Sequence, residues 1–514
     1  MGMNYPIILF LFFIFIINCF ILNNGVLVAD DIFFHFFENG IVPTKTFQYC
    51  NWALYLEKIL MYCIPNFFKL DFNEWALTLG TLLKSFVMTF IMYSYISFFQ
   101  LRRINKTIFI SSCCIIYSLL FIFFKGLNFP NLTIYTAFFR FTLTTSITIF
   151  FLYKLYEYLY KRQCKKSPLY ILALIVATSS EQIFPILLAC TFVLLLSYCI
   201  QKNKDKDTIT FLALIFSILI VGSILLINTN GFQTNINFKI QDIHYSPYTL
   251  LISNFKEFSY VFYTKMIHNF IPYYLGIIVL IIFNFKNKSY TSIVFSISLI
   301  LGNLAFTYSL ILLGKTHYSG GYWIEHPDIY TILIPLFIVS FIVLFIDFIP
   351  TLQEKKQKVL TLLLISTFIC ISPILYKSIK TIKNTTNSIK IHSYMRDKIR
   401  LFYLYKNKTP IMPTFASSNS WFFLINEQET PFGKSKLTSS DMLYKTYYEW
   451  IEKDYFKSAY YIKNMETKEE DYIIVSDNDA LKIFLENGGN CDELYSGKYN
   501  FSLLRNKNFI LNKQ

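Results

Sequence analysis

The sequence predicts an α-helical multi-pass membrane protein of about eleven transmembrane helices, followed by a small C-terminal α/β domain outside the membrane. Three observations predict it. The 514-residue chain is 54% hydrophobic and only 15% charged, with a mean hydropathy of +0.44, whereas soluble chains lie nearer ~25% charged. Apolar runs approaching the ~20 residues that cross a bilayer recur as far as residue 376. Beyond that point the chain turns polar and has no spanning run. The expected division is therefore a transmembrane domain over residues 1–376 and an extracytoplasmic domain over 377–514.

The formal net charge of +15 is large enough to raise a nucleic-acid partner. The positions of the Lys and Arg residues exclude it. They cluster in short connections between apolar runs, which is the charge bias of cytoplasmic loops. The expected partner is a lipid bilayer.

The first span covers about Tyr5–Leu22. It lacks a basic leader and a small-residue cleavage site, so it is expected to be retained. A long outside loop follows, Asn23–Asn73, whose apolar patches are too short to span and suit interfacial helices. The second span runs over Glu74–Gln100, with Arg102, Arg103 and Lys106 beyond it; the third covers Thr107–Phe124 and the fourth Leu132–Tyr153. Lys154, Lys161, Arg162, Lys165 and Lys166 then mark the most basic loop.

Basic loops flank Pro168–Ile200 on both sides, so this stretch must cross and return. Two full spans need about 40 residues and about 33 are present, which sets the tip, Ser179-Ser180-Glu181-Gln182, within the outer half of the membrane. Further spans are expected at Thr208–Ile227, Met266–Phe285, Thr291–Leu313, Ile329–Ile349 and Val359–Tyr376, which leaves the N-terminus inside and the C-terminus outside. In the tail, Asp471–Asp477 reads as a buried strand, a helix begins near Asp479, and Tyr499–Leu504 suits a closing strand. Cys19, Cys113, Cys114, Cys190, Cys199 and Cys370 fall in or beside spans as small core residues. Cys50 and Cys63 face outward, and a disulfide between them is an open alternative.

Three groups of residues stand out for chemistry. Just past the first span lies the acidic pair Asp30-Asp31; in a helix Asp31, His35 and Glu38 share one face, with Phe residues opposite. The competing reading is an amphipathic interfacial helix with solvated charges. Second, Lys84, Arg140 and Glu181 are charges within spans, which are functional candidates by default. Arg140 is expected ~12 Å below the outer end of its span, at a depth similar to that of Glu181. The two are expected to pair or to line a common polar cavity; the competing reading is a structural ion pair. Third, the outside loop Gly314–Asp328 gathers Lys315, His317, Glu325 and His326 beside Gly320, Gly321, Tyr322 and Trp323. Its cations suit a phosphate and its rings suit a sugar; the competing reading is a polar loop with interfacial aromatics.

The acidic residues in the first outside loop, the many spans and the outside C-terminal domain together resemble the GT-C superfamily of glycosyltransferases that use polyprenyl-phosphate sugars. More narrowly, Asp30-Asp31 and the Ser-Ser-Glu-Gln hairpin are similar to those of bacterial O-antigen glucosyltransferases. The resemblance implies a bacterial inner-membrane enzyme, inverting, that moves a sugar from a lipid-phosphate donor to a glycan or lipid acceptor. Asp30 or Asp31 would be the general base. Arg140, Lys315, His317 or His326 would stabilise the departing phosphate. Asp31 and His35 are also compatible with a divalent cation, Mg or Mn. This chain departs from the superfamily in its late loop, which has Lys315 and histidines where an Arg is usual. A polysaccharide polymerase or ligase is the near alternative, and a multi-pass transporter the distant one.

Overall fold

The computed structural model describes residues 5–23, 52–68, 75–102, 104–126, 138–161, 165–201, 205–229, 259, 268–287, 289–312, 317–318, 321–322, 327–405, 411–414 and 473–476. The architecture is a helical bundle. Its elements are α1 (Tyr5–Ile21); a helical run of α2 (Trp52–Glu57), π1 (Lys58–Cys63) and α3 (Ile64–Phe68); π2 (Ala76–Gly80) leading into α4 (Thr81–Phe99); and α5 (Lys106–Gly126). Then come π3 (Phe138–Leu143) leading into α6 (Thr144–Lys161), α7 (Lys166–Ala177), α8 (Ile183–Ile200), α9 (Lys206–Ile227), α10 (His268–Lys286) and α11 (Tyr290–Leu312). A small antiparallel pair follows, β1 (His317–Tyr318) with β2 (Gly321–Tyr322), and after it α12 (Pro327–Phe348) and α13 (Glu354–Tyr405).

Six stretches are long and apolar enough to cross a membrane: Thr78–Phe99, Ile183–Ile200, Lys206–Ile227, Tyr290–Thr307, Ile332–Thr351 and Glu354–Lys380. Ile7–Ile21, Lys106–Ile122, Lys166–Ala177 and Tyr274–Lys286 are shorter apolar helices. The outward faces are those of a protein in lipid, with Phe12, Phe13 and Phe20 on α1 and Leu362, Leu363 and Ile369 on α13 all exposed.

At the centre of the bundle stands α12, which packs on α4, α6, α10 and α11. Every residue from Ile332 to Ser340 is buried. Single polar groups join the helices, as is usual where packing rather than water drives association. The Tyr95 hydroxyl on α4 donates to the Pro335 carbonyl at 3.1 Å, and Asn284 Nδ2 on α10 donates to the Leu344 carbonyl at 2.9 Å. Asn18 joins three helices: its Nδ2 donates to Thr89 Oγ1 on α4 (3.3 Å), and its Oδ1 accepts from the Tyr117 hydroxyl on α5 (2.9 Å). Glycines set the closest approaches. A Cβ on Gly302 would lie 2.5 Å from the Ile186 carbonyl oxygen, so α8 and α11 meet backbone to backbone there. One on Gly222 would lie 2.5 Å from the Ala177 Cβ, a close approach of α7 and α9.

Three expectations need correction. The helix of the fourth expected span does not stop at Tyr153 but runs to Lys161. Its first basic residue is accommodated within the helix, since Lys154 pairs with Glu157 at 2.9 Å and lies over the Tyr153 ring; such (i, i+3) pairs support helix rather than end it. Likewise, α13 does not end at Tyr376. It continues to Tyr405, because Pro373 is tolerated inside it and the following residues contain no Gly or further Pro to break it. The boundary expected at 376/377 thus falls inside one helix. Among the cysteines, Cys113 and Cys190 are buried, but Cys199 and Cys370 are exposed, because they fall on outward helix faces.

In the tail, β3 (Ile411–Thr414) and β4 (Ile473–Ser476) pair in parallel, with Ile411 opposite Ile473. The second of these falls within the run expected as a strand. The helix near Asp479 and the strand at Tyr499–Leu504 lie outside the described residues, as does Cys50.

Candidate functional site

The hairpin of α7 and α8 shapes one end of the bundle. α7 has 12 residues and so rises ~18 Å, well short of the ~30 Å hydrocarbon core. Ending a helix at that depth leaves carbonyls to be satisfied. They are met locally: Thr178 Oγ1 donates to the Leu174 carbonyl (2.9 Å), Ser179 Oγ to that of Val176 (2.7 Å), and Trp52 Nε1 to that of Ile175 (2.9 Å). Trp52 comes from the first expected outside loop. The short helix it opens, α2, is not on the surface; Ala53, Leu54 and Glu57 are buried, and α2 packs on π3.

At this tip Arg140 Nη2 and Glu181 Oε1 form an ion pair. The expected pairing of the two intramembrane charges is therefore present, joining π3 to the hairpin. Glu181 is 11% exposed on its side chain and Arg140 27%. The pair does not exhaust these groups. Arg140 Nε, Glu181 Oε2 and the neighbouring Gln182 Oε1 are buried with no hydrogen-bond partner among the described residues. Most buried polar atoms in proteins are paired, so three orphans at one tip call for a ligand or water.

Lys84, in the first turns of α4, is fully buried and engaged within the protein. Its helix touches both π3 and α6. Buried hydroxyls surround the same levels of these helices: Thr81 and Ser85 on α4, Thr145 on α6. Buried Glu57 arrives on α2. α2 and α4 both pack on π3, the segment that the ion pair joins to the hairpin tip. π1 follows α2 directly, π2 runs into the helix that carries Lys84, and Arg140 lies within π3 itself. π geometry is rare and concentrates at functional sites. Here it widens the turn from which Arg140 projects.

No family model, no curated protein and no solved structure matches this chain.

The remaining sequence candidates divide by place. Asp30, Asp31 and His35 lie outside the described residues, as do Lys315, Glu325 and His326. Backbone is described for His317, in β1, where it stands opposite Tyr322. The late loop thus contains a hairpin that leads into α12, a helix that packs on π3. Among the described residues no three His, Cys, Asp or Glu side chains gather to hold a metal.

A second charged cluster, absent from the sequence candidates, sits at the opposite end. Arg102 Nε and Nη2 bind Asp347 Oδ1 at 2.7 Å, and the guanidinium lies 4.3 Å from the Tyr160 ring centroid. Ser292 Oγ donates to Asp347 Oδ2, and Ser292 and the Tyr156 hydroxyl are 2.8 Å apart. A signal for it exists in the sequence, since Asp347 is the one charge in the apolar run 329–349. The residues that sequence reasoning missed near the tip are Trp52 and Glu57; neither interrupts a long apolar run, which is the pattern that exposes charges within spans.

Proposed function

We propose that the protein is a membrane glycosyltransferase of GT-C type. In this reading it transfers a sugar from a polyprenyl-phosphate donor to a surface glycan or lipid acceptor on the extracytoplasmic face of a bacterial inner membrane. All eleven expected helical segments cross or enter the bilayer, and the tail beyond α13 forms an α/β domain outside.

The observation that carries the reading is the Arg140–Glu181 pair. It lies at the tip between the short α7 and α8, with Arg140 Nε and Glu181 Oε2 unpartnered among the described residues. A guanidinium held this way is suited to a phosphate group at the end of a lipid. It offers a rigid fork of donors, is always charged, and is weakly hydrated. The low dielectric strengthens its hold on negative charge that develops as the lipid phosphate departs. Glu181 fixes the guanidinium before the donor arrives and so lowers the reorganisation needed during the reaction. Asp30 or Asp31 takes the proton from the acceptor hydroxyl as it attacks the anomeric carbon. Lys315, His317 and His326 of the late loop supply further positive charge towards the phosphate.

The test is the sugar composition of surface glycans in a strain lacking the protein. The strain is complemented in turn with wild type, Asp30→Asn, Asp31→Asn and Arg140→Ala. The expected result is loss of one sugar, its return with wild type, and failure of Arg140→Ala and at least one Asn variant to restore it. Full restoration by both Asn variants would remove the acidic pair from the mechanism. If every glycan is unchanged on deletion, the transferase reading is replaced by that of a transporter.

A further inference from the structure

The end of the bundle remote from Arg140 contains a cavity of ≈ 680 Å³ between α1 and α5, floored by Phe99 at the end of α4. Its two ends differ in chemistry. One end is the polar turn joining two apolar helices, where Gln100, Arg102 and Lys106 form the rim. Such a turn stands at a membrane surface. Below it the walls are apolar, with Phe10 from α1 and Phe109 and Ile110 from α5. The groove opens sideways to the bilayer, since Ile110 in its α5 wall is 54% exposed. Cys113 is the last residue of α5 that lines it, and one turn further on the Tyr117 hydroxyl donates to Asn18 Oδ1 (2.9 Å), joining α5 to α1. From Lys106 to Cys113 the helix rises ~10 Å, a length suited to the upper part of one acyl chain.

The charge at the rim is one-sided. Arg102 is balanced by Asp347. Lys106 is exposed, and no acidic side chain lines the cavity among the described residues. A fixed cation at an interface over an apolar slot is complementary to a lipid that carries a net negative head group. We propose that this cavity binds one anionic phospholipid, with its phosphate against Lys106, Arg102 and the Gln100 amide and one acyl chain between α1 and α5. The site is separate from the Arg140 tip and does not depend on the transferase reading. Its occupant ties α1 to the bundle on the side where Asn18 alone joins α1 to α5 among the hydrogen bonds described.

The test is native mass spectrometry of the full-length protein in detergent, titrated with phosphatidylglycerol or with phosphatidylcholine of the same acyl chains. The expected result is selective retention of one phosphatidylglycerol. Lys106→Ala should weaken it ~5-fold, the equivalent of ~1 kcal/mol per cation near a membrane surface. Ile110→Trp, which fills the slot and keeps the charge, should weaken it also, while Lys356→Ala, at an exposed lysine outside the cavity, should leave it unchanged. Equal retention of phosphatidylcholine would overturn the proposal. So would wild-type binding by both Lys106→Ala and Ile110→Trp, or complete displacement by glycerol phosphate, which has the head-group charge without the chain. Should Lys106→Ala not fold, Ile110→Trp decides.

Discussion

The two charged clusters of this bundle use the same kind of ion pair and complete it differently. At one end, Arg102, Asp347, Ser292 and Tyr156 form a chain in which each buried polar atom has a partner. At the other, Arg140 and Glu181 pair, yet one atom of each stays unsatisfied beside Gln182 Oε1. A completed network rigidifies and fixes how helices dock. An incomplete one in the same apolar surroundings is costly unless something fills it. The first cluster is therefore read as architecture and the second as a site. The helices agree with that division. Among the described residues no π segment adjoins Asp347, where α12 ends in a 3-10 turn (Ile349–Thr351), while Arg140 lies in one π segment and another leads to Lys84.

The strongest way to break the comparison is Asp347→Ala. It strands Arg102 and two hydroxyls, and removing one partner of a buried pair costs ~3–5 kcal/mol. Because Arg102 is about a third exposed, the expected loss is at the lower end, ~3 kcal/mol. Unfolding in detergent measures it, and sugar transfer per folded molecule should remain.

Next comes Arg140→Lys. The charge stays but the fork is lost, so transfer should fall ~10²-fold, the scale of one oriented donor to a developing anion. The melting temperature should stay near that of wild type. A variant that melts early and transfers normally would make the Arg140–Glu181 pair architectural like the Arg102–Asp347 pair.

Gly302→Val sharpens the contrast from a distance. It forces α11 off the Ile186 carbonyl at the start of α8, close to the Glu181 tip. Overpacking of this kind costs ~1–3 kcal/mol, and transfer should decline with it as the tip shifts. Smallest is Trp52→Phe, which removes the donor to the Ile175 carbonyl and should cost ~1 kcal/mol by the same unfolding measurement.

Much of this was legible in the sequence where the signal is local. The hairpin tip was expected at Ser179–Gln182, because a count of residues against membrane thickness needs no partner. Its turn is observed at 178–182. The pairing of Arg140 with Glu181 was legible as one of two alternatives, because a charge in an apolar run must find an opposite charge or water. The Arg102–Asp347 pair was not read. Arg102 had been accounted for as a basic loop residue, and nothing local says that a loop cation reaches a carboxylate 245 residues away. The length of α13 was misjudged because loss of hydropathy was taken as loss of helix, although polar residues continue a helix readily.

By itself the sequence determined an α-helical chain with helices of membrane length, the places where most of them begin, and the position of the hairpin turn. Those follow from run length and from the positions of Lys and Arg, which act residue by residue. Only the tertiary structure decided which charges meet, that Trp52 and Glu57 enter the bundle, that π turns flank Arg140, and that a basic-rimmed groove opens between α1 and α5. Each of these depends on how helices far apart in the chain rotate and dock, and packing between surfaces fixes that rotation while composition does not.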